Sequence, residues 1–370
     1  MKLTVERGLL LRALSHMQSV VEKRQTIPVL SNVLIETHGD SVLLKATDNE
    51  IEVTESIPAG VETAGSTTVS AHKLYDIVKK LPEGAQISLS FNAETSQLAV
   101  VCGRSRFALA TISADGFPTM QSEDMPFNFT LKGADLLNLI SKTGFAVSLE
   151  ETRYNLNGIY FHEKTGEPNQ LCAVATDGHR LACAFADLPE GAAGMPGVII
   201  PRKTIGEVSK LVAETDGDVS VSLSTTQIRF GVNDVVLASR LIDGTYPEYE
   251  KVIPTGNDKI LEADVETLTG IIDRVSVVSE KSKGVKVSLS KGLLHVSAVA
   301  TDEGSAEDEM EAAYEGDNLD IGFNYRYLLD ILAQMKGGNM RMTLLDNVSP
   351  VIVESVSDAK ALFVLMPMRV

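Results

Sequence analysis

The chain has 370 residues, 44% of them hydrophobic and 22% charged, with three cysteines and a formal net charge of −17. That balance is ordinary for a globular protein, and no apolar run approaches the ~18–20 residues of a membrane span. The opening Met1-Lys-Leu-Thr-Val-Glu-Arg has no signal-peptide core, and Cys102, Cys172 and Cys183 are odd in number and scattered, so a cytoplasmic protein with buried, reduced thiols is expected.

In chain order, helices are predicted over 6–24, 70–80, 132–148, 201–211, 264–283 and 325–336. The first shows an apolar stripe through Leu9, Leu10, Ala13, Leu14, Met17 and Val21, the third through Leu136, Leu139 and Ile140, and the fifth through Leu268, Ile271, Ile272 and Val275. Pro201 falls in the first turn of the fourth, where proline is tolerated. Strands are predicted over 33–36, 42–45, 86–90, 219–223 and 285–289, which alternate in polarity and are rich in β-branched residues. Linkers fall near 118–126 and 254–259.

Three landmarks recur along this order. Ala-Thr-Asp appears at Ala46-Thr47-Asp48, Ala175-Thr176-Asp177 and Ala300-Thr301-Asp302, with steps of 129 and 125 residues. Val69-Ser-Ala-His-Lys73, Ile199-Ile-Pro-Arg-Lys203 and Phe323-Asn-Tyr-Arg-Tyr327 keep the same beat. Asp115-Gly-Phe-Pro118 and Asp243-Gly-Thr-Tyr-Pro247 close the first two copies. Solenoid repeats span only ~20–50 residues, so whole domains in triplicate are predicted: 1–125, 126–255 and 256–370. The fold class is α+β, each domain an antiparallel β-sheet with two helices.

The net charge as a total argues against nucleic acid. Its distribution points the other way. The six predicted helices hold 17 Lys/Arg and 10 Asp/Glu, a net of +7, which leaves −24 for the rest of the chain. Repeated basic helices sharing one surface suit DNA held in a lumen without base-specific contacts.

Seven segments stand in order along the whole chain: Arg24-Gln-Thr-Ile-Pro-Val-Leu-Ser-Asn32, Gly103-Arg-Ser-Arg-Phe107, Tyr154-Asn-Leu-Asn-Gly158, Ala175-Thr-Asp-Gly-His-Arg-Leu181, Ile200-Pro-Arg-Lys203, Gly322-Phe-Asn324 and Met366-Pro-Met-Arg-Val370. Through them, and over its whole length, the chain resembles the sliding-clamp family, the β subunits of bacterial DNA polymerase III. The resemblance implies a crescent of three like domains, closed by a second copy into a head-to-tail ring. Helices would line the hole and sheets would form the rim.

It also implies sites. A peptide pocket for short motifs, typically Gln followed by Leu and Phe, would be walled by Leu156, Thr176, Gly178, His179, Arg180, Leu181, Pro247, Lys251, Val252, Asn324, Tyr327, Val348, Val364, Met366, Pro367, Met368 and Arg369. Such aromatic and Met-rich surfaces suit a site with many partners. DNA would meet Arg24, Lys73, Arg153, Tyr154, Arg202 and Lys203. The dimer contact would use Lys73, Ile77, Leu81, Arg104, Arg106 and Phe107 from the first domain. Facing them would be Val277, Val278 and acids such as Glu303 and Glu307 from the third, in a 301–317 stretch with eight acids and no Lys or Arg.

Three positions depart from the family's pattern: Lys251, Pro350 and Asn155. Lys251 removes the planar bidentate fork of Arg, and Asn155 removes an aromatic suited to stacking on single strands.

The implied partners are sequence-independent duplex DNA, a second copy, the polymerase III catalytic subunit, other polymerases and repair proteins, and an ATP-dependent loader. The chain itself has no Walker A sequence. No cofactor, metal or membrane partner is expected. The rival reading is a hydrolase-type enzyme in which Asp177 and His179 form an acid–base pair.

Overall fold

The computed structural model describes residues 1–22, 26–121, 123–166, 169–279, 281–300 and 304–369. Among these residues six α-helices run over Arg7–Val20 (α1), Ala71–Lys80 (α2), Gly133–Gly144 (α3), Arg202–Ala213 (α4), Val265–Ser276 (α5) and Tyr325–Leu332 (α6). All six predicted helices are present, four of them (α1, α3, α5 and α6) shorter at the C-terminal end than the predicted bounds. Glu6 begins α1 by accepting the Leu9 N–H at 2.9 Å. Val21 then turns extended and its N–H closes the last turn on Met17, well short of residue 24. The last carbonyls of α1 find partners far away in sequence: His72 Nε2 meets Val21 O at 3.0 Å and Lys203 Nζ donates to Val20 O at 3.2 Å. Tertiary donors thus end this helix where the sequence offers no cap.

The chain forms two compact units. One comprises Met1–Ala134, Pro189–Ala193 and Lys203–Leu241. It holds a 13-stranded antiparallel sheet in which strand Val235–Arg240 pairs with strand Ile51–Pro58. Its core alternates with the strands: Val42, Leu44 and Ala46 of strand Ser41–Thr47 are buried while Ser41, Leu43 and Lys45 are half-exposed. Leu10, Ala13, Leu14 and Met17 of α1 are buried as well. The segment predicted as a linker near 118–126 is pinned here, since Glu52 accepts the Met120 N–H at 2.9 Å and Glu123 accepts the Ser224 and Thr226 hydroxyls.

The other unit comprises Asp135–Leu188, Gly194–Arg202 and Ile242–Val370. It holds a nine-stranded and a four-stranded sheet, both antiparallel. In the nine-stranded sheet, strand Arg180–Asp187 pairs with strand Ala361–Leu365. In the four-stranded sheet, strand Gly304–Glu311 is outermost and, among the described residues, pairs only with Leu293–Ala300. The acidic stretch is therefore a strand from 304 onward, with Glu307, Glu309 and Glu311 exposed at alternate positions. Compactness follows the hydrogen-bonded sheets, and those sheets draw strands from neighbouring repeats. The three thiols are buried and unbridged, and burial pushes Cys172 up to about 12.

The helical charge is less evenly spread than the predicted segments implied. With the observed ends, α1, α2 and α4 carry the positive excess, two charges each, while α3 and α6 are neutral and α5 is net acidic. Several of those cations are also committed to the protein itself. Arg7 donates to the Val78 and Lys79 carbonyls, and Arg12 stands 3.5 Å from Glu55.

Candidate functional site: a cleft around Arg180 and Tyr327

The Ala-Thr-Asp repeat proves to be turn chemistry. In the first copy Thr47 Oγ1 donates to Ile51 O, while Asp48 Oδ1 accepts the Glu50 and Ile51 N–H groups at 2.9 and 2.7 Å. In the second, Thr176 Oγ1 donates to Arg180 O, while Asp177 Oδ1 accepts the His179 and Arg180 N–H groups at 2.9 and 3.1 Å. Each side chain replaces backbone partners that a tight hairpin cannot supply. The third position of the turn needs positive φ, 77° at Asn49 and 88° at Gly178; at Gly178 an added Cβ would also stand 2.8 Å from Arg153 Nη1. In the third copy, Thr301 and Asp302 lie outside the described residues.

This geometry corrects the enzymatic alternative. Asp177 gives Oδ1 to the turn's amides and Oδ2 to Arg180 Nε at 3.1 Å, so the carboxylate is engaged away from the His179 ring. That ring stacks instead on Tyr327, with centroids 6.0 Å apart and planes 21° from parallel.

Arg180 is the hub. Besides Asp177, it donates through Nη1 to Asp330 at 2.5 Å and through Nη2 to Phe145 O at 2.7 Å. Its guanidinium lies 4.4 Å from the Tyr327 ring centroid and 5.0 Å from that of Phe145. Burial, reinforced by the Asp177 charge, holds the Tyr327 hydroxyl above its ordinary pKa, so it stays neutral. Around this hub lies a cavity of about 490 Å³ lined by residues 144–145 and 147–150 with Asp177, His179, Arg180, Arg202 and Tyr327.

The other predicted peptide-site residues fall into three groups. Leu156, Leu181 and Val364 belong to a buried cluster with Tyr246 and Tyr249, the two rings that bracket Pro247. Pro247, Lys251 and Val252 are exposed on the adjoining segment, where Lys251 pairs with Glu248. The C-terminal tail supplies the third group. Met366 N–H donates to His179 O at 3.0 Å and Met368 N–H to Gly322 O at 2.9 Å, with the half-buried Pro367 between them. Val348, Met368 and Arg369 line a further cavity of about 440 Å³. Asn324 caps α6 by accepting the Arg326 N–H at 3.0 Å. Two departures from the family pattern have local roles: Asn155 Nδ2 donates to Thr245 O, and Pro350 O accepts from Asn257 Nδ2. Phe145, Leu149 and Asp330 were missed by sequence reasoning. They reach the site through the end of α3 and through α6, and no local motif marks them.

Among the residues expected to face DNA, Arg24 lies outside the described residues. Lys73 and Arg202 are exposed, Tyr154 is 58% exposed, and Arg153 stands 3.3 Å from Glu150. Lys203 is engaged within the chain. Its Nζ is spent on Asp48, on Glu22 at 3.2 Å and on Val20 O. Burial alone would lower its pKa, but the two carboxylates outweigh it and hold the ammonium charged. Lys203 thus ties α4 to the first Thr-Asp turn rather than offering a free cation.

Among the expected interface residues, Arg104, Arg106, Phe107 and Glu307 are exposed. Glu307 also stands 3.5 Å from His295. Val277 is 67% exposed, in a short turn packed against strands Leu293–Ala300 and Gly304–Glu311. Ile77 and Val278 are half-buried, Leu81 is buried in its own protomer, and Glu303 lies outside the described residues.

The cleft sets the aromatic and apolar side chains of Phe145, Val147, Leu149 and Tyr327 beside the charged groups of Glu150, Asp177, Arg180 and Arg202, a mixed lining of the kind binding sites share. The class these features define is a protein of repeated α+β domains that carries a binding cleft. Comparison with known proteins makes it specific. Residues 1–121, 130–248 and 250–369 match, in order, the family models of the N-terminal, central and C-terminal domains of the DNA polymerase III beta subunit. The chain is 44% identical to the beta sliding clamp of Caulobacter vibrioides and 37% identical to that of Escherichia coli, each over 100% of both chains.

Among solved structures it is similar to a Bartonella birtlesii sliding clamp bound to griselimycin (TM-score 0.97, 45% identity, 100% of both chains). It is also similar to a C. crescentus clamp with PEG bound to a putative beta-motif tethering region (TM-score 0.98, 43% identity, 100% of this chain and 99% of that one). The chain belongs to the DNA polymerase III β-subunit family, the β sliding clamps, which are non-catalytic processivity factors of DNA replication.

Proposed function

We propose that two copies of this chain close head to tail around duplex DNA and tether the polymerase through the cleft beside Tyr327. A pair of open strand edges of opposite charge carries this reading. Strand Ser105–Ile112 is paired with Gln97–Cys102 on one side, but its other neighbour engages only Thr111 and Ile112. Residues 105–110 therefore present an unfilled edge, with Arg104, Arg106 and Phe107 exposed on or beside it. Strand Gly304–Glu311 presents another, lined with exposed acids. An unpaired edge is a template for a second chain, and opposite charge selects basic-to-acidic pairing over like-to-like. Contacts of that heterologous kind close into a ring when the rotation per subunit permits.

Lys73, Arg153, Tyr154 and Arg202 are the DNA-facing set in this reading, and Arg24 is assigned to the same role. Their phosphate contacts are few and water-mediated, because tight ones would stop sliding. Encirclement keeps the tethered polymerase at high effective concentration near the primer end. The segments 1–125, 126–255 and 256–370 act as the three clamp domains, and loading depends on a separate ATP-driven machine. Among the described residues no helix is long and apolar enough to cross a membrane, and we place this replication protein in the cytoplasm.

The test is topological. The protein loaded on nicked circular DNA should be retained through gel filtration and should run off within minutes of linearisation. Retention that is indifferent to linearisation would sink encirclement.

A further inference from the structure

We propose that His162 is a positioning residue for the peptide site: it fixes Tyr249, and through it the segment that carries Pro247, Lys251 and Val252. This rests on the reading that the segment walls a peptide site. His162 and Tyr160 stand two residues apart on strand Gly158–Lys164, so both side chains leave the same face of the sheet. Each holds one end of the segment. The Tyr160 ring stacks on that of Tyr246, with centroids 4.7 Å apart and planes 4° from parallel. His162 Nε2 meets the Tyr249 hydroxyl at 3.0 Å, across 87 residues of chain. The Tyr160 and His162 rings also stack on one another at 4.7 Å, so the two anchors form one unit.

The direction of the hydrogen bond follows from its surroundings. His162 Nδ1 lies 2.8 Å from the Glu163 carbonyl oxygen, which can only accept. Nδ1 therefore carries the proton and Nε2 is left with a lone pair. Burial holds the imidazole below the ordinary histidine pKa, which keeps it neutral. Burial also pushes the Tyr249 hydroxyl up, so it keeps the proton it donates. Cys172, opposite His162 in the strand register, brings Sγ to 3.8 Å from the same hydroxyl.

Among the described residues, the backbone-to-backbone bonds of 247–253 are local: Tyr249 N–H to Pro247 O, Lys251 N–H to Glu248 O and Ile253 N–H to Glu250 O. Side chains must therefore hold the segment to the sheet. The rings of Tyr246 and Tyr249 pack in the cluster that contains Leu156, Leu181 and Val364. Their placement sets the exposed lip of the site, Pro247, Lys251 and Val252, relative to its apolar floor.

The experiment measures binding of a Gln-Leu-Phe-type peptide to the full-length protein by fluorescence anisotropy near neutral pH. His162→Phe, which keeps a ring against Tyr160 but removes the acceptor, should weaken binding about three- to five-fold. Tyr249→Phe, which removes a single oxygen atom, should do the same. The double variant should be no weaker than either alone, because both changes remove one bond. His162→Gln, whose amide oxygen can replace Nε2 as acceptor, should stay within about two-fold of the unaltered protein. Imidazole nitrogen resonances should place the His162 proton on Nδ1, and Tyr249→Phe should move the Nε2 resonance. Losses that multiply in the double variant, or equal losses for Gln and Phe at this position, would overturn positioning through Tyr249. So would unchanged affinity in both single variants. A peptide that fails to bind the unaltered protein would instead remove the reading on which the positioning stands.

Discussion

Arg180 Nη1 donates to Asp330 Oδ2 across 2.5 Å, joining the turn that follows strand Gln170–Thr176 to helix α6. A second strut runs alongside. The buried Lys142 of α3 donates to Gln334 O just beyond α6 and stands 3.2 Å from Asp358. The cleft beside Tyr327 is thus held open by charge pairs rather than by apolar packing alone.

Arg180→Ala should therefore loosen the compact unit that contains it, by about 2–3 kcal/mol. That lies below the loss for a fully buried pair, because Asp330 is half-exposed. Asp330→Ala should cost less, about 1 kcal/mol, since Arg180 keeps Asp177 and the Phe145 carbonyl. Native-state hydrogen exchange of the α6 amides reads both. Equal losses would mean that Arg180 is not the hub.

His179→Ala removes the ring stacked on Tyr327. Motif-peptide affinity should fall about 3–10-fold, the size of one aromatic pair, with the dimer unchanged and the thermal midpoint slightly lowered. Calorimetric titration measures the first, and light scattering with thermal scans the rest. Unaltered affinity would move the peptide site away from this turn.

His16 makes a pH-dependent clip in the other compact unit. Its Nδ1 lies 2.7 Å from the fully buried Glu55 and its Nε2 lies 3.1 Å from Glu214, with Arg12 also beside Glu55. Burial pushes its pKa down, but the two carboxylates outweigh burial and hold it above the ordinary histidine value. A group raised on folding stabilises fully below its unfolded pKa, about 6.5, and loses that contribution as pH climbs through the folded value. The margin of the native protein over His16→Gln should be largest near pH 6, about 1–2 kcal/mol. It should shrink steadily toward pH 9. A margin that is flat with pH in denaturant titrations would contradict the clip.

Charge reversal of the basic edge, Arg104→Glu with Arg106→Glu, should weaken dimerisation at least ten-fold. Like charges would then face the acidic strand. Sedimentation at micromolar concentration should show monomers, with the far-ultraviolet dichroism unchanged. A stable dimer would place the contact elsewhere.

Thiol chemistry should be silent in the folded protein. All three cysteines are buried, and desolvation holds Cys172 and Cys183 far above an ordinary thiol. A chromogenic disulfide reagent should therefore label the three only after unfolding. Rapid native labelling would mean that these strands open readily.

The sequence by itself determined the triplication, the α+β class, the six helices and the family, because periodicity and repeated motifs are local and survive without coordinates. It also marked Thr176, Gly178, His179 and Arg180, since one turn keeps them adjacent. Only the tertiary structure decided what those side chains do. The Ala-Thr-Asp triplet is a hairpin device whose leftover oxygen takes a cation: Lys203 at Asp48 and Arg180 at Asp177. Asp48 and Lys203 are 155 residues apart in the chain, and Arg180 and Asp330 are 150 apart. Lys203 and Lys73 both look like free cations in one dimension. Whether an ammonium faces solvent or a carboxylate depends on what the fold brings within ~4 Å, and no local pattern encodes that.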